Sequence, residues 1–385
     1  MPTKIVIAPQ GFKGSVSGLV AARAIQRGVL AALPDAETAL APVADGGDGT
    51  LNALVDATGG RLFTTRVTGP LGNPIEAAWG VMGDGETAVV EMARASGLAL
   101  LPPQRRDPRV TTTMGTGEMI QKALDQGFKR IIVGLGGSAT NDGGAGMARA
   151  LGARLLDSKG MPLDEGGTAL ADLDRIDVSG LHPGLKEATV MGATDVINPL
   201  CGPTGASAVY GPQKGASPDV VAELDAALAH FAAVVKRDLG QDVLEVSRAG
   251  AAGGLGAGLL AFAGGELRSG IDMVCDVLGF DDLLTGAHLV ITGEGRADRS
   301  TVFDKAPVGV ARWAKARGVP TVLLAGGLGP GYRELYQHGI AAIVTIADRP
   351  MSFAQSLRRT EELLEAGAER AVRLMRVWAD QTGVI

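Results

Sequence analysis

Short apolar, β-branched runs recur along the chain, most ending in glycine and leading into a stretch of helical spacing. They predict strands over residues 5–8, 38–42, 130–133, 288–292, 321–325 and 342–346. Near-continuous apolarity, as in KIVIAP, RIIVGLGG, HLVITGEG and TVLLAGG, suits a parallel sheet covered on both faces. Helical patterns follow at 15–32, 116–126, 306–316 and 333–338, and 351–378 reads as one long amphipathic helix. Alternation of strand, glycine turn and helix is the pattern of a doubly wound α/β fold.

A second texture interrupts the first. Residues 61–67, 76–81 and 86–91 read as strands joined by short Gly/Asn/Pro turns, an antiparallel meander. Beyond about residue 151 the chain is loopy, then helical over 218–238, then Gly/Ala-rich over 250–265. Two discontinuous α/β domains are expected. Residues 1–62, 108–150 and 285–385 would form a Rossmann-like domain with a doubly wound parallel sheet. Residues 63–107 and 151–284 would form a smaller, inserted mixed α/β domain.

The length of 385 residues agrees with two domains. Aromatics are only 4%, so the core must be built from Ala, Val, Leu and Ile. A net charge of −6 without a basic run argues against nucleic acid. No uninterrupted apolar stretch reaches membrane-spanning length. A strand predicted almost at the first residue leaves no room for a signal peptide, so a cytoplasmic location is expected. Two cysteines are too few for a disulfide framework, and no Cys/His spacing suggests zinc. A monomer and a homodimer both stay open.

Candidate chemistry lies in the glycine-rich turns at strand ends, where bare backbone N–H groups can approach an anion. Residues 134–147, GLGGSATNDGGAGM, hold six glycines around Ser138, Thr140, Asn141 and Asp142. APQGFKGSVSG places Lys13 in a turn that opens a helix, and VADGGDGT places Asp45 and Asp48 about Gly46 and Gly47. MGATDVINPLCGPTGAS puts Asp195 after a short strand, where it could accept a proton from a substrate hydroxyl, and YGPQK brings Lys214. TGEGRAD offers Gly293, Glu294, Gly295, Arg296 and Asp298, followed by Lys305, and AGGLGPGY adds more glycine. Each loop alone is ordinary turn chemistry. Together, at the carboxyl ends of parallel strands, they point to a phosphate-handling enzyme.

Several motifs compete for that phosphate. Residues 134–139 fit the dinucleotide pattern G-x-G-x-x-A, with Asp157 at about the ribose-binding distance, which keeps an NAD-dependent oxidoreductase of a small hydroxy acid as the alternative by spacing. A non-catalytic nucleotide- or sugar-acid-binding protein is the other. The chain has no Gly-Lys dipeptide and therefore no P-loop, and the protein-kinase motifs are missing. GGDGT resembles the signature of the NAD kinase and diacylglycerol kinase superfamily, with nothing else in support.

The blocks taken in order, from KIVIAP-x-x-FKGS, PVADGGDGT and GLGGSATNDGGAGM to GATDVINPLCGPTGAS, YGPQKGA, GAAGGLGAGLLAF, LVITGEGR-x-D and KAP-x-GVA, resemble the bacterial glycerate kinases that form 2-phosphoglycerate. The resemblance spans nearly the whole chain. It implies phosphorylation of glycerate with ATP and Mg2+ by two α/β domains closing on substrates between them. On that resemblance Asp195 would be the base, with Lys13 and Arg296 neutralising carboxylate or transferred phosphate. Asp142, Glu294 and Asp298 would serve the metal, with Asp45 as metal or hydroxyl contact. Gly46, Gly47, Gly136, Gly137, Ser138, Thr140, Asn141, Lys214, Gly293, Gly295 and Lys305 would line the substrate and nucleotide sites. This chain departs from the family at Gln10-Gly11, usually Asp-Ser; at Asp48, usually Glu; and at Ser300 and Asp304, usually Gln and Gly.

Overall fold

The computed structural model describes residues 3–302 and 305–382, with side chains as far as residue 377. Strands β1 (Lys4–Pro9), β2 (Glu37–Leu40), β3 (Arg61–Thr68), β4 (Pro74–Val81), β5 (Thr87–Glu91), β6 (Arg130–Gly134) and β7 (Arg154–Leu156) come first in chain order. They are followed by β8 (Arg175–Asp177), β9 (Thr189–Thr194), β10 (Glu266–Ser269), β11 (Leu289–Glu294), β12 (Thr321–Ala325) and β13 (Ile340–Thr345). The chain divides into two compact units. One comprises residues 1–45, 52–57 and 271–385, and the other 46–51 and 58–270.

The first unit carries a five-stranded sheet ordered β13-β12-β11-β1-β2, with every pairing parallel. Period-two alternation sends Ile5, Ile7, Leu289, Ile291, Val322 and Leu324 to one face, against the helices Gly18–Ala32 and Thr360–Thr382. Leu323 and Ala325 turn to the other face, against the helix Ala306–Ala316. Helices on both faces are what a fully apolar parallel sheet needs, so the doubly wound expectation stands. Alanine and glycine make the helix packing close. A Cβ on Gly28 would collide with the backbone of Glu365 in the neighbouring helix.

Three helical expectations change here. Residues 351–378 form two helices, Phe353–Arg358 and Thr360–Thr382, the first opened by a capping box between Ser352 and Gln355. Residues 332–338 form a 3₁₀ segment, Tyr332–His338, rather than an α-helix. The helix expected from residue 15 starts at Gly18, where the Ser17 hydroxyl accepts the Val20 N–H as N-cap.

The second unit holds a six-stranded mixed sheet ordered β10-β9-β6-β5-β4-β3, and β7 with β8 form a separate two-stranded ladder. The β3–β4 and β4–β5 pairings are antiparallel, as the meander predicts. The other three pairings of the six-stranded sheet are parallel, and the β7–β8 ladder is antiparallel. Strand β6, expected with the first sheet, lies here between β5 and β9. Residues 108–150 therefore belong to this unit, which is the longer of the two stretches of chain and not the smaller insertion expected. Apolar periodicity marks a buried strand but not the sheet it joins.

Candidate functional site

In the first unit the sheet order reads 2-1-3-4-5 in chain order, so the winding reverses between β1 and β11. Ligands of open α/β sheets bind outside the carboxyl strand ends at such a reversal. Pro9 pairs with Gly293, and the Gln10 N–H donates to the Gly293 carbonyl at 3.0 Å, so the Lys13 turn and the Glu294 loop leave from adjacent strand ends. Lys13 is exposed in that turn. Gly293 lies against the Phe12 ring, where a Cβ would meet ring carbons at 3.3 Å.

Glu294 is buried, at 3% exposure. Its Oε1 accepts the Thr301 hydroxyl at 2.9 Å. Burial pushes its carboxyl up to about 7, with Asp298 and Asp45 adding to the rise and the Lys305 ammonium opposing it. Asp45, Asp298 and Lys305 thus lie within electrostatic reach of Glu294. Asp298 accepts the Ser300 hydroxyl at 2.6 Å and N–H at 2.9 Å, and its other oxygen pairs with the exposed Arg296 at 3.4 Å. Those Ser300 bonds hold its carboxyl below the usual range. Lys305 donates to the Ser300 hydroxyl at 2.8 Å, so Ser300 links the acid and the cation. Gly295 is exposed, and the Gly326 N–H ties the AGGLGPGY turn to the Glu294 carbonyl at 3.0 Å. Asp304 lies outside the described residues.

In the second unit the segment 46–50 packs against the loop after β6. The Gly136 N–H donates to the Gly46 carbonyl at 3.0 Å, and the Gly46 N–H to the Thr50 hydroxyl at 3.1 Å. A Cβ on Gly136 would overlap the Gly47 Cα, and one on Gly46 the Ala193 carbonyl, so only glycine fits either place. Gly137 has φ +75° and is exposed. Its carbonyl accepts the Leu98 N–H, and the Ala139 N–H donates to Ser96. The N–H groups of Gly137 and Ser138 between them donate to no protein acceptor among the described residues. Adjacent amides without protein acceptors are the kind of group that suits an anion.

Asp195 sits half-buried just beyond the carboxyl end of β9. Arg248 donates to the carbonyls on either side of it, Thr194 at 3.0 Å and Val196 at 3.2 Å. The Tyr210 phenol is pushed up to about 12 by burial and by the charge of Asp195, which places the carboxylate near that ring.

Four expected ligand contacts turn inward instead. Asp142 is fully buried and accepts the Thr113 N–H and hydroxyl, each at 2.8 Å, and the Gly144 and Gly146 N–H groups, each at 3.2 Å. Four protein donors occupy its oxygens, so it ties residues 113 and 144–146 together rather than facing a metal. Lys214 is 1% exposed and donates to the Thr140 carbonyl at 2.7 Å. Burial lowers its ammonium to about 7 against the pull of Asp142. Thr140 and Asn141 are buried too, the Asn141 amide donating to Ser207 Oγ at 2.9 Å. These residues back the loop and do not line its open side.

Glu91 was not among the sequence candidates. It ends β5, its carboxylate is 1% exposed, and it accepts the Gly49 N–H at 2.8 Å and Arg94 Nε at 3.3 Å. Burial raises its carboxyl. The available signal was an acid ending an apolar strand, hidden by reading β5 as purely antiparallel when it pairs parallel with β6.

The dinucleotide pattern fails on geometry. Its pyrophosphate needs a helix opening at the glycine turn, but here the helix is Ala145–Ala150, well past residues 134–139. Asp157 instead accepts the Lys159 and Met161 N–H groups in a surface turn.

The acceptor-free amides of Gly137 and Ser138 in the second unit, and the buried Glu294 near Lys305 at a strand end of the first, are each compatible with a phosphate-handling α/β enzyme. Comparison with known proteins narrows the class. A model of the Glycerate kinase family matches residues 5–376. The chain is 47% identical to the glycerate kinase of Halalkalibacterium halodurans over 98% of this chain and 99% of that one. It is 50% identical to the glycerate 2-kinase of Escherichia coli K12 over 89% and 90%. A crystal structure of a candidate glycerate kinase 2 from Salmonella typhimurium LT2 superposes with a TM-score of 0.87 at 46% identity, covering 99% of this chain and all of that one. The chain belongs to the glycerate kinase family and is a kinase.

Proposed function

We propose that the protein phosphorylates D-glycerate to 2-phosphoglycerate with ATP and Mg2+, by in-line phosphoryl transfer. The names of the relatives support the acceptor. The pair of unengaged amides at Gly137 and Ser138 is the observation that carries an anionic ligand. Transfer of a phosphoryl group leaves little covalent work to the protein, so positioning and charge neutralisation dominate.

Asp195, held at a strand end by Arg248, takes the proton from the attacking hydroxyl. Gly136, Gly137 and Ser138, with Gly46 and Gly47 packed beneath, cradle phosphate or carboxylate oxygens. Lys13, Arg296 and Lys305 neutralise charge at the strand ends of the first unit, where Gly293 and Gly295 keep the backbone open.

No group of three or more His, Cys, Asp or Glu side chains able to hold a metal by itself occurs among the described residues. Mg2+ suits such a place, because it is commonly held by one or two carboxylates together with waters and substrate phosphates. Glu294, whose second oxygen accepts no hydrogen bond among the described residues, would hold it, with Asp45 and Asp298 within electrostatic reach. The ion would supply neutralisation of phosphate charge.

A coupled ADP-release assay over glycerate and other hydroxy acids, with and without Mg2+ and with an NAD control, tests this reading. Glycerate-dependent ADP release that requires Mg2+ is expected. NAD reduction without ADP release would sink it.

A further inference from the structure

Lys214 ends the short 3₁₀ segment Pro212–Lys214 and reaches inward to the loop after β6. The following Gly215 has φ +99°, and a Cβ there would overlap the Arg106 carbonyl, so the turn is pinned where it delivers the lysine. Buried lysines are rare without a carboxylate partner. Among the described residues no carboxylate lies within ion-pair distance of this one, because Asp142, its electrostatic neighbour, is spent on four other donors. The Thr140 carbonyl is its one acceptor. Next along the chain, Asn141 Oδ1 is buried without any donor. A buried ammonium with a single carbonyl acceptor among the described residues is costly to keep for packing alone.

A strained turn also packs against the Thr140 carbonyl. Ala252, Gly253 and Gly254 are consecutive left-handed residues inside the helical segment Ala251–Ala263, and a Cβ on Gly253 would overlap the Thr140 carbonyl. The Gly253 carbonyl accepts the Gly143 N–H at 3.0 Å. A non-glycine residue in that conformation, as at Ala252, persists only where its surroundings over-determine it. The Thr140 peptide is thus held from two sides, two residues after the unengaged Gly137 and Ser138 amides.

We propose that Lys214 is a positioning residue, an internal ammonium that holds the Thr140 carbonyl inward and so keeps the Gly137 and Ser138 amides set for an anionic substrate without touching it. This rests on the anion role of the loop given above. It accounts for a lysine that is wholly buried in a loop reached by ligand on its other side. Because the clamp is a hydrogen bond from an amine to a carbonyl, a small free ammonium can replace the amine once the side chain is cut back.

The test is steady-state kinetics of Lys214→Met, Lys214→Gln and Lys214→Ala, with D-glycerate and MgATP varied separately. Met removes the donor, and the KM of one of the two anionic substrates should rise at least tenfold while the other stays within threefold. Gln keeps a donor for Thr140 and should hold both KM values within fivefold. In Lys214→Ala the raised KM should fall at least threefold with ammonium or methylammonium, and not with tetramethylammonium. A folded Met variant with wild-type KM values overturns the proposal, as does a loss in Ala indifferent to ammonium. Should Met and Ala lack a cooperative melt, Gln decides: a KM shift beyond fivefold overturns the clamp. Absence of glycerate turnover in the wild type fails the kinase reading, whereas normal wild-type turnover with an unshifted Met variant fails the clamp alone.

Discussion

Glu294→Gln separates the electrostatics of the first unit from its packing. The glutamate is 3% exposed, and its carboxyl titrates near 7 against 4.5 for a free one. At about 1.4 kcal/mol per pH unit, the ionised form is disfavoured in the folded chain by about 3 kcal/mol. The sign follows from the raised value. Stability contributed by this group is fully present below about pH 4.5 and is lost as pH rises through about 7. Gln keeps an oxygen for the Thr301 hydroxyl and never ionises. Urea denaturation in EDTA at pH 5 and pH 8 should show the wild type losing about 2.5 kcal/mol more than Glu294→Gln across that interval, the remainder being already lost at pH 5. At pH 8 the variant should be the more stable of the two. Equal losses in the two proteins would refute the buried-carboxylate reasoning. Added Mg2+ should narrow the difference by holding Glu294 ionised in the folded state, because a ligand that binds only the folded form stabilises it.

Two further outcomes follow from the second unit. Asp195→Asn should lower kcat by about 10²–10⁴-fold, the usual worth of a positioned base, with the melting temperature little changed; near wild-type turnover would remove Asp195 from that role. Asp142→Ala should cost about 3–5 kcal/mol in denaturant unfolding, because it strands buried donors at Thr113, Gly144 and Gly146, and a change below about 1 kcal/mol would contradict its place in the loop.

Much of the architecture was legible from the chain. Apolar runs leading into glycine marked β1, β11 and β12, whose continuous apolarity gave their parallel pairing, and a shorter apolar run marked β13. Strand β6 carried the same signal, yet it joined the other sheet, because pairing partners are chosen by tertiary packing that a local pattern does not contain. The site was legible as a set of loops and not as a set of exposed atoms. Asp142 and Lys214 carry the residue types of a ligand site, but the backbone turns their side chains into the core, where neighbouring N–H and C=O groups take them up. Glu91 was hidden because a strand that is antiparallel on one side and parallel on the other has a carboxyl end that alternation alone does not flag. Glycines at 46 and 136 were the most faithful guides, since close backbone approach excludes any other residue there.

The most direct test is the identity of the product. D-glycerate labelled with carbon-13 at position 2, incubated with ATP and Mg2+ and this protein, should yield one phosphorylated product with ADP in equal amount. The proton on the labelled carbon should show a three-bond coupling to phosphorus across the ester oxygen, as 2-phosphoglycerate requires, with none on the carbon-3 methylene protons. A phosphoryl group on carbon 3, or no phosphorylated acid at all, would contradict the assignment.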